Sequence, residues 1–337
     1  MHLLQVYPSN NSYHFRKKIL VQIKRRIPYE AYCFTTVDPQ TLLSTGAITD
    51  ERIEVLHPQL FENEYIEKDM NRYIELFEGK TYCNSIFEGT RGEGVRSKRF
   101  REILSPAGFI DELRAVLVYK NRCYGFLTLY RTKEQGLFSQ TEIGYLKETL
   151  ASIAKGLKES ISRSYQLVSR PENTSIGTGL IVLDQKLNII STNQTGFNFL
   201  EWLRQEEFLE NNCLPRPIRA ICSQGKKRSS KILIHAFNHS FMTLNVSPLF
   251  GSSSQIALLI ERIKFHESLM LFSYLYELTD REYELLELLI EGKSTKCMAN
   301  QLSISTYTVQ DHLKSIFIKI KVNSRMELMN KINTISR

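Results

Sequence analysis

Residues 278–320 read LTDREYELLELLIEGKSTKCMANQLSISTYTVQDHLKSIFIKI, and the spacing of their apolar positions predicts three consecutive helices. Thr279 and Glu282 form a capping box, in which two side chains satisfy backbone N–H groups that a helix start leaves unpaired. Tyr283, Leu286, Leu289 and Ile290 then make a buried stripe, and Gly292 supplies a left-handed stop. A second short helix is expected from Ser294 to Leu302, burying Cys297, Met298 and Leu302. Ser305 caps a third, with Val309, His312, Leu313, Ile316, Phe317 and Ile320 inward and Thr306, Tyr307, Gln310, Asp311 and Lys314 outward. Ser324 with Glu327 opens a last helix carrying Leu328, Met329, Ile332 and Ile335. Two short helices joined by a tight turn and buttressed by two more can place one helix in a major groove. A helical bundle used only for dimerisation would bury the same positions, so the pattern alone leaves both open.

The chain has 337 residues, more than one core usually organises, and three domains are expected. Its 42% hydrophobic and 24% charged residues are ordinary for a globular protein. No stretch approaches the roughly 18 apolar residues of a membrane span. Met1 to Asn10 lack the basic, apolar and small-residue sequence of a signal peptide, so the cytoplasm is the expected compartment. A net charge of +8 and a pI near 9.0 fit a polyanion-binding protein without requiring one. Six cysteines without paired spacing argue against a zinc site and a disulfide framework, and read as buried thiols.

Ahead of the helical region, Phe15, Ile19, Ile23 and Ile27 predict an amphipathic helix whose outer face carries Arg16, Lys17, Lys18, Lys24, Arg25 and Arg26; packing on the first domain is the expected use of it. Ala31 to Val37 and Leu42 to Ala47 read as strands, Asn63 to Phe77 as a helix, and Ala115 to Tyr119 with Cys123 to Tyr130 as a hairpin. Ser139 and Glu142 cap a long helix in which Ile143, Leu146, Leu150, Ile153 and Leu157 alternate three and four apart. That spacing suits a coiled-coil dimer seam and plain core burial equally. Ser162 to Thr178 reads as a linker. Gly179 to Leu183 and Leu187 to Ser191 form a hairpin, Gly196 to Leu203 a helix, Lys231 to Phe237 and Phe241 to Val246 another hairpin, and Ile256 to Ile263 a last strand. Both segments are therefore α+β.

Three resemblances overlie this reading. Leu104-Ser105-Pro106-Ala107-Gly108-Phe109-Ile110-Asp111-Glu112-Leu113-Arg114-Ala115, followed by Arg122 to Phe126 and Tyr130-Arg131, resembles GAF-type regions found ahead of LuxR-type regulators. Gly179-Leu180-Ile181-Val182-Leu183-Asp184 with Asn193 and the helix after it is similar to a PAS domain. Leu278 to Glu282, Gly292 to Lys296, Ala299, Leu302 to Ser305, Thr308-Val309, His312-Leu313, Lys319 to Val322 and Ser324-Arg325 resemble the LuxR-type helix-turn-helix in order and spacing. The chain is accordingly expected to hold an α+β GAF-like domain over 1–165, an α+β PAS-like domain over 178–264 and an all-α four-helix LuxR-type domain over 273–337.

The last resemblance implies dimerisation through the final helix, at Leu328, Met329 and Ile332, and inverted half-sites on DNA. It assigns Lys296 to phosphate contact, Thr308 to the DNA backbone, and Gln310, Asp311 and Lys314 to the exposed reading face; Ser305, Thr306 and Tyr307, in the first turn of the same helix, are further candidate DNA-binding residues. The family very often has lysine where Gln310 stands, and Asp311 adds a negative charge facing phosphates. Gln310 could pair with adenine and Asp311 could accept from cytosine N4. Residues 278–337 hold nine Lys and Arg against seven Asp and Glu, so affinity must come from where the charges sit. The expected partners are double-stranded DNA and a second copy of the chain, with RNA polymerase and a small-molecule ligand as further candidates.

Other motifs carry less. Gly292-Lys293-Ser294 echoes a phosphate-binding loop, but Glu287 stands where that loop needs glycine. Gly92 and Gly94 among basic residues read as an exposed loop, as do Lys226, Lys227 and Arg228. His235 and His239 fall at a strand end and its turn, an improbable metal pair. No nucleophile and base stand out together, no phosphoacceptor receiver domain is evident, and no enzyme activity, metal or cofactor is expected; a signal-controlled, DNA-binding transcriptional regulator is the expected function, with sensor-like domains that only make protein contacts, or an enzyme with a DNA-binding tail, as the alternatives.

Overall fold

A computed structural model describes residues 12–166, 177–207, 209, 213–225, 229–235, 241–251 and 254–336. Met1 to Asn10, most of the expected linker, Lys226 to Arg228 and His239 lie outside the described residues, as do the side chains of His235 and Ile335. The chain forms two compact units, one with both sheets and one with the carboxyl-terminal helices.

In the first unit, α1 (Ser12–Lys24) precedes β1 (Ala31–Val37) and β2 (Ser44–Thr49), followed by α2 (Glu51–Tyr65), α3 (Tyr73–Glu78), β3 (Cys83–Ser85) and α4 (Ile86–Gly89). A π-helical turn at Phe100–Leu104 leads into β4 (Asp111–Tyr119), β5 (Arg122–Arg131) and the long α5 (Gln140–Gln166). The sheet order is β2-β1-β5-β4-β3, and every pair is antiparallel. Period-2 alternation splits the strands between two covered faces. Phe34, Leu113, Ala115, Leu117, Leu127 and Leu129 pack with α1 and α5. Val116, Phe126 and Tyr130 pack on the other side with residues from α2, α3 and the turn after them.

The helix expected over Asn63 to Phe77 is instead the end of α2, a turn and α3. Asp50 starts α2 early, its carboxylate accepting the Arg52 N–H at 3.2 Å. Asn71, at φ 62°, breaks the chain before α3. Arg16 is also not on an outer face: it is 6% exposed and donates to the Phe34 carbonyl at 2.8 Å. Of the two uses open to α5, the structure takes the second. Ile143, Leu146, Leu150, Ile153 and Leu157 are all buried in the sheet's own core, so they are not available as a dimer seam. A 27-residue helix that lies along its sheet repeats its contacts near heptad spacing, which mimics a coiled-coil stripe.

Gly125 sits where β5 passes β1 beneath α5. A Cβ there would lie 2.5 Å from the Thr35 carbonyl oxygen and 2.7 Å from Leu157 Cδ2. Gly125→Ala should therefore lower stability by about 1–3 kcal/mol, as overpacking does; an unchanged urea midpoint would contradict this packing.

The second half of this unit holds β6 (Gly179–Leu183), β7 (Ile189–Thr192), α6 (Gln194–Glu206), α7 (Arg216–Gly225), β8 (Ser230–His235), β9 (Phe241–Leu249) and β10 (Gln255–Arg262). Its order, β7-β6-β10-β9-β8, repeats that of the first sheet. Asn193 caps α6 by accepting the Gly196 N–H at 2.9 Å. The unforeseen α7 opens Arg216-Pro217; proline fits a first helical turn, where its missing N–H would be unpaired in any case.

The second unit consists of α8 (Phe265–Leu275), α9 (Asp280–Ile290), α10 (Thr295–Gln301), α11 (Thr306–Ile320) and α12 (Arg325–Ser336). Its core joins Leu285, Leu286 and Leu289 to Met298, Ala299, Val309, Ile316, Ile320, Leu328 and Ile332. Leu269 and Phe272 of α8 belong to the same core, ahead of residue 273. Among the described residues, no helix is long and apolar enough to cross a membrane.

Candidate nucleic-acid interface

Local chemistry builds the interface from α9 upward. The Thr279 hydroxyl accepts the Glu282 N–H at 3.2 Å while Glu282 Oε2 accepts the Thr279 N–H at 2.7 Å, the reciprocal box expected from sequence. Gly292 ends the helix at φ 84°. Ser294 caps α10, and the turn into α11 runs through Ser303 at φ 54°. The guanidinium of Arg281 donates to the Leu302 carbonyl at 2.6 Å and ties this turn to α9. Ser305 then caps α11, accepting the Thr308 N–H at 3.0 Å and sharing a hydrogen bond with the Thr308 hydroxyl at 2.9 Å.

Val309, Ile316 and Ile320 fix the inner side of α11, with His312, Leu313 and Phe317 half-buried beside them. Ser305, Thr306, Tyr307, Thr308, Gln310, Asp311 and Lys314 are exposed, as is Lys296 on α10. The short helix α10 buries Met298 and Ala299, while Cys297 and Leu302, expected inside, are only half-buried. Tyr307, Asp311, Lys314 and Ile318 lie four, three and four residues apart and so share one stripe. Tyr307 is 79% and Ile318 77% exposed. Ile318 falls outside both the inward and the outward sets read from sequence, because a single apolar residue on an exposed helix face is common and carries no signal of its own. Lys314 Nζ lies 3.6 Å from Asp311 Oδ1, an exposed and solvent-screened pair that leaves the Lys314 ammonium available to a phosphate.

What holds α11 against α9 is Glu282. Its carboxylate, 4% exposed, accepts the Ser315 hydroxyl at 2.6 Å and lies 2.5 Å from Lys319 Nζ. Burial would raise its pKa, but Lys319, Ser315 and the Thr279 N–H together hold it below the ordinary carboxylate value. Arg325 donates to the Leu289 carbonyl and fastens α12 to the end of α9. In the last cap, Ser324 accepts the Glu327 N–H at 3.1 Å, while Glu327 reaches back to the Asn323 N–H rather than completing a box with Ser324.

Leu328 and Ile332 are fully buried against the chain's own core, which includes Leu269 and Phe272 of α8, so they are not a free dimerisation face here; Met329 is half-buried. The Lys331 ammonium sits 5.1 Å from the centre of the Tyr276 ring and closes the edge of this contact.

A family model described as bacterial regulatory proteins, luxR family, matches residues 276–332. The transcriptional regulatory protein DesR of Bacillus subtilis (strain 168) is 43% identical over 61 residues, covering 18% of this chain and 31% of that protein. The spore germination protein GerE of the same organism is 42% identical over 50 residues, 15% of this chain and 68% of GerE. The chain thus spans about a third of DesR and two thirds of GerE. A crystal structure of Escherichia coli SdiA aligns with 96% of this chain and 89% of its own at 15% identity and a TM-score of 0.31, too slight a likeness to argue from. Through the helical domain that carries α9 to α12, the chain belongs to the luxR family of bacterial regulatory proteins.

Proposed function

We propose that the protein is a cytoplasmic transcriptional regulator that binds double-stranded DNA with the first turns of α11 in the major groove. The observation that carries this reading is the stripe of Tyr307, Gln310, Asp311, Lys314 and Ile318 left uncovered on a helix whose opposite side is locked into its domain. On this reading Gln310 pairs with adenine and Asp311 accepts from cytosine N4, and Ile318 offers an apolar contact of the kind that thymine methyls accept. Lys296, Thr306 and Thr308 take phosphates.

The two sheet domains, over 1–165 and 178–264, are read as GAF-like and PAS-like sensors; their shared strand order and flanking helices support this. A ligand or partner acts by binding the DNA-competent arrangement more tightly than the inactive one. A dimer on inverted half-sites would have to use Met329 and the exposed side of α12, since Leu328 and Ile332 are occupied. RNA polymerase is the further partner that such a regulator would meet on DNA.

The test is selection of full-length protein against a randomised DNA pool at several salt concentrations, with Gln310→Ala and Lys314→Ala alongside. An inverted repeat should be enriched. Gln310→Ala should relax one position of each half-site by about 1–3 kcal/mol. Lys314→Ala should instead weaken all sequences and reduce the salt slope by about one. Equal effects of both variants on every sequence would remove the base-reading role.

A further inference from the structure

The sequence separates Cys33 from Glu54 and His57, but the fold brings them together. Cys33 lies on β1 with its sulfur 3.6 Å from His57 Nε2 and 3.4 Å from the Thr35 hydroxyl. His57, 3% exposed, lies on α2 one turn after Glu54. Its Nδ1 is 3.1 Å from Glu54 Oε2, close enough for charge pairing but without a hydrogen bond. Glu54 is held from beyond by α7: Arg219 donates to Oε1 at 2.7 Å, and Arg216 to Oε2 through Nε at 3.1 Å and through Nη2. Glu207 also pairs with Arg216, at 3.6 Å, and buried Arg16 acts on the same cluster. Arg216 Nη1 and Arg219 Nε are buried with no hydrogen-bond acceptor.

We propose that Cys33 is an oxidation site at which the thiolate, held by His57, reacts with a hydroperoxide to give a sulfenic acid. The sulfur lone pair forms an S–O bond as the O–O bond breaks, and sulfur gives two electrons to the peroxide. The proton on His57 Nε2 passes to the departing oxygen, releasing water or an alcohol. The geometry supplies what such chemistry needs: a charge partner in contact with sulfur, an acid on the same side chain, and a cysteine that is half-buried rather than sealed in the core.

Charge favours the thiolate. Arg16, Arg216 and Arg219 face the carboxylates of Glu54 and Glu207, which leaves positive charge for a third anion, and His57 is shifted toward its charged form. Burial alone would raise the Cys33 pKa; His57 and Thr35, by hydrogen bonding, and the charge of Arg216 outweigh it and hold the thiol below its ordinary value. His57 is correspondingly raised by Cys33 and Glu54 against the effect of burial. Cys83 and Cys123 are the opposite case, buried among apolar side chains and pushed up to about 12. Oxidation would remove the thiolate charge and discharge His57 beside Glu54, the residue on which α2 meets α7. The proposal is independent of whether α11 reads DNA.

The full chain, fully reduced, is treated at neutral pH with one equivalent of hydrogen peroxide in the presence of dimedone, which traps sulfenic acids, and the adducts are mapped by mass spectrometry. Cys33 should be labelled ahead of the other five cysteines, and Cys33→Ser should remove that label. His57→Gln should slow it by about tenfold or more, because it removes both the charge partner of the thiolate and the acid that protonates the departing oxygen. Because His57 is buried and its replacement also tests folding, the unaltered chain is alkylated with iodoacetamide across pH: the Cys33 midpoint should fall below the ordinary thiol value of about 8.5. Labelling of Cys33 no faster than half-buried Cys213 and Cys297, or an alkylation midpoint at or above the ordinary value, would overturn the proposal.

Discussion

Replacing Arg99 with leucine should destabilise the first unit by about 3–5 kcal/mol, the range for a buried ion pair broken by losing one partner. The Arg99 side chain is 1% exposed, and Nε donates to Glu112 Oε2 at 2.9 Å while Nη1 donates to Asn63 Oδ1 at 3.0 Å. Glu112 is equally buried, and its other oxygen makes no hydrogen bond, with Arg114 Nε 3.7 Å away. Leucine at position 99 would leave Glu112 with that distant partner alone. Arg99→Leu with Glu112→Leu should recover part of the loss, and urea unfolding of the two single variants and the double gives the coupling directly. Strict additivity would show that the pair contributes nothing as a pair.

Glu282→Ala should have the second largest effect, about 2–4 kcal/mol on the second unit, because one carboxylate closes the α9 box and also holds Ser315 and Lys319. Its pH dependence has a definite sign. The folded pKa is lower than the unfolded value, so the contribution is complete above the ordinary carboxylate range and disappears as pH falls through the folded pKa. Protection of the α11 amides in the full chain, taken relative to intrinsic exchange at each pH, should fall on acidification below about pH 4.5, the ordinary value for Glu, and Glu282→Ala should show low protection already at neutral pH. Equal protection of α11 in both chains at neutral pH would mean that the Val309, Ile316 and Ile320 contacts suffice without the carboxylate.

The helical domain was the most legible part of the sequence because its signals are local. Thr279 with Glu282, Gly292 and Ser305 act within one turn of where they stand. The inward and outward sides of α11 follow from a 3.6-residue period. Distinguishing Ala299 from Cys297 as the buried residue of α10 needed the crossing with α11, which no period encodes. The first sheet's hairpin was readable from alternation, whereas the three-residue β3 is too short to show any. The use of α5 was undecided in sequence because a seam and a core contact share one spacing. Arg281, Glu282 and Lys319 could be quoted as motif residues, but their roles depend on which carbonyl or carboxylate another helix presents. Cys33, Glu54 and His57 are gathered by topology alone: the strand that carries the thiol and the helix that carries the imidazole meet only once the sheet has formed.

On β4, Glu112 and Arg114 point to the α2 side while Leu113, Ala115 and Leu117 pack toward α5. A one-residue slip against β5 would exchange the two sets and drive both charges among Leu146, Ile153 and Leu157. Arg99 and Glu64, which answer those charges, would be left on the wrong side of the sheet. The charged pair therefore acts as a register key: a β4–β5 hairpin slipped by one residue would bury both charges without their partners, a cost the native alignment alone avoids.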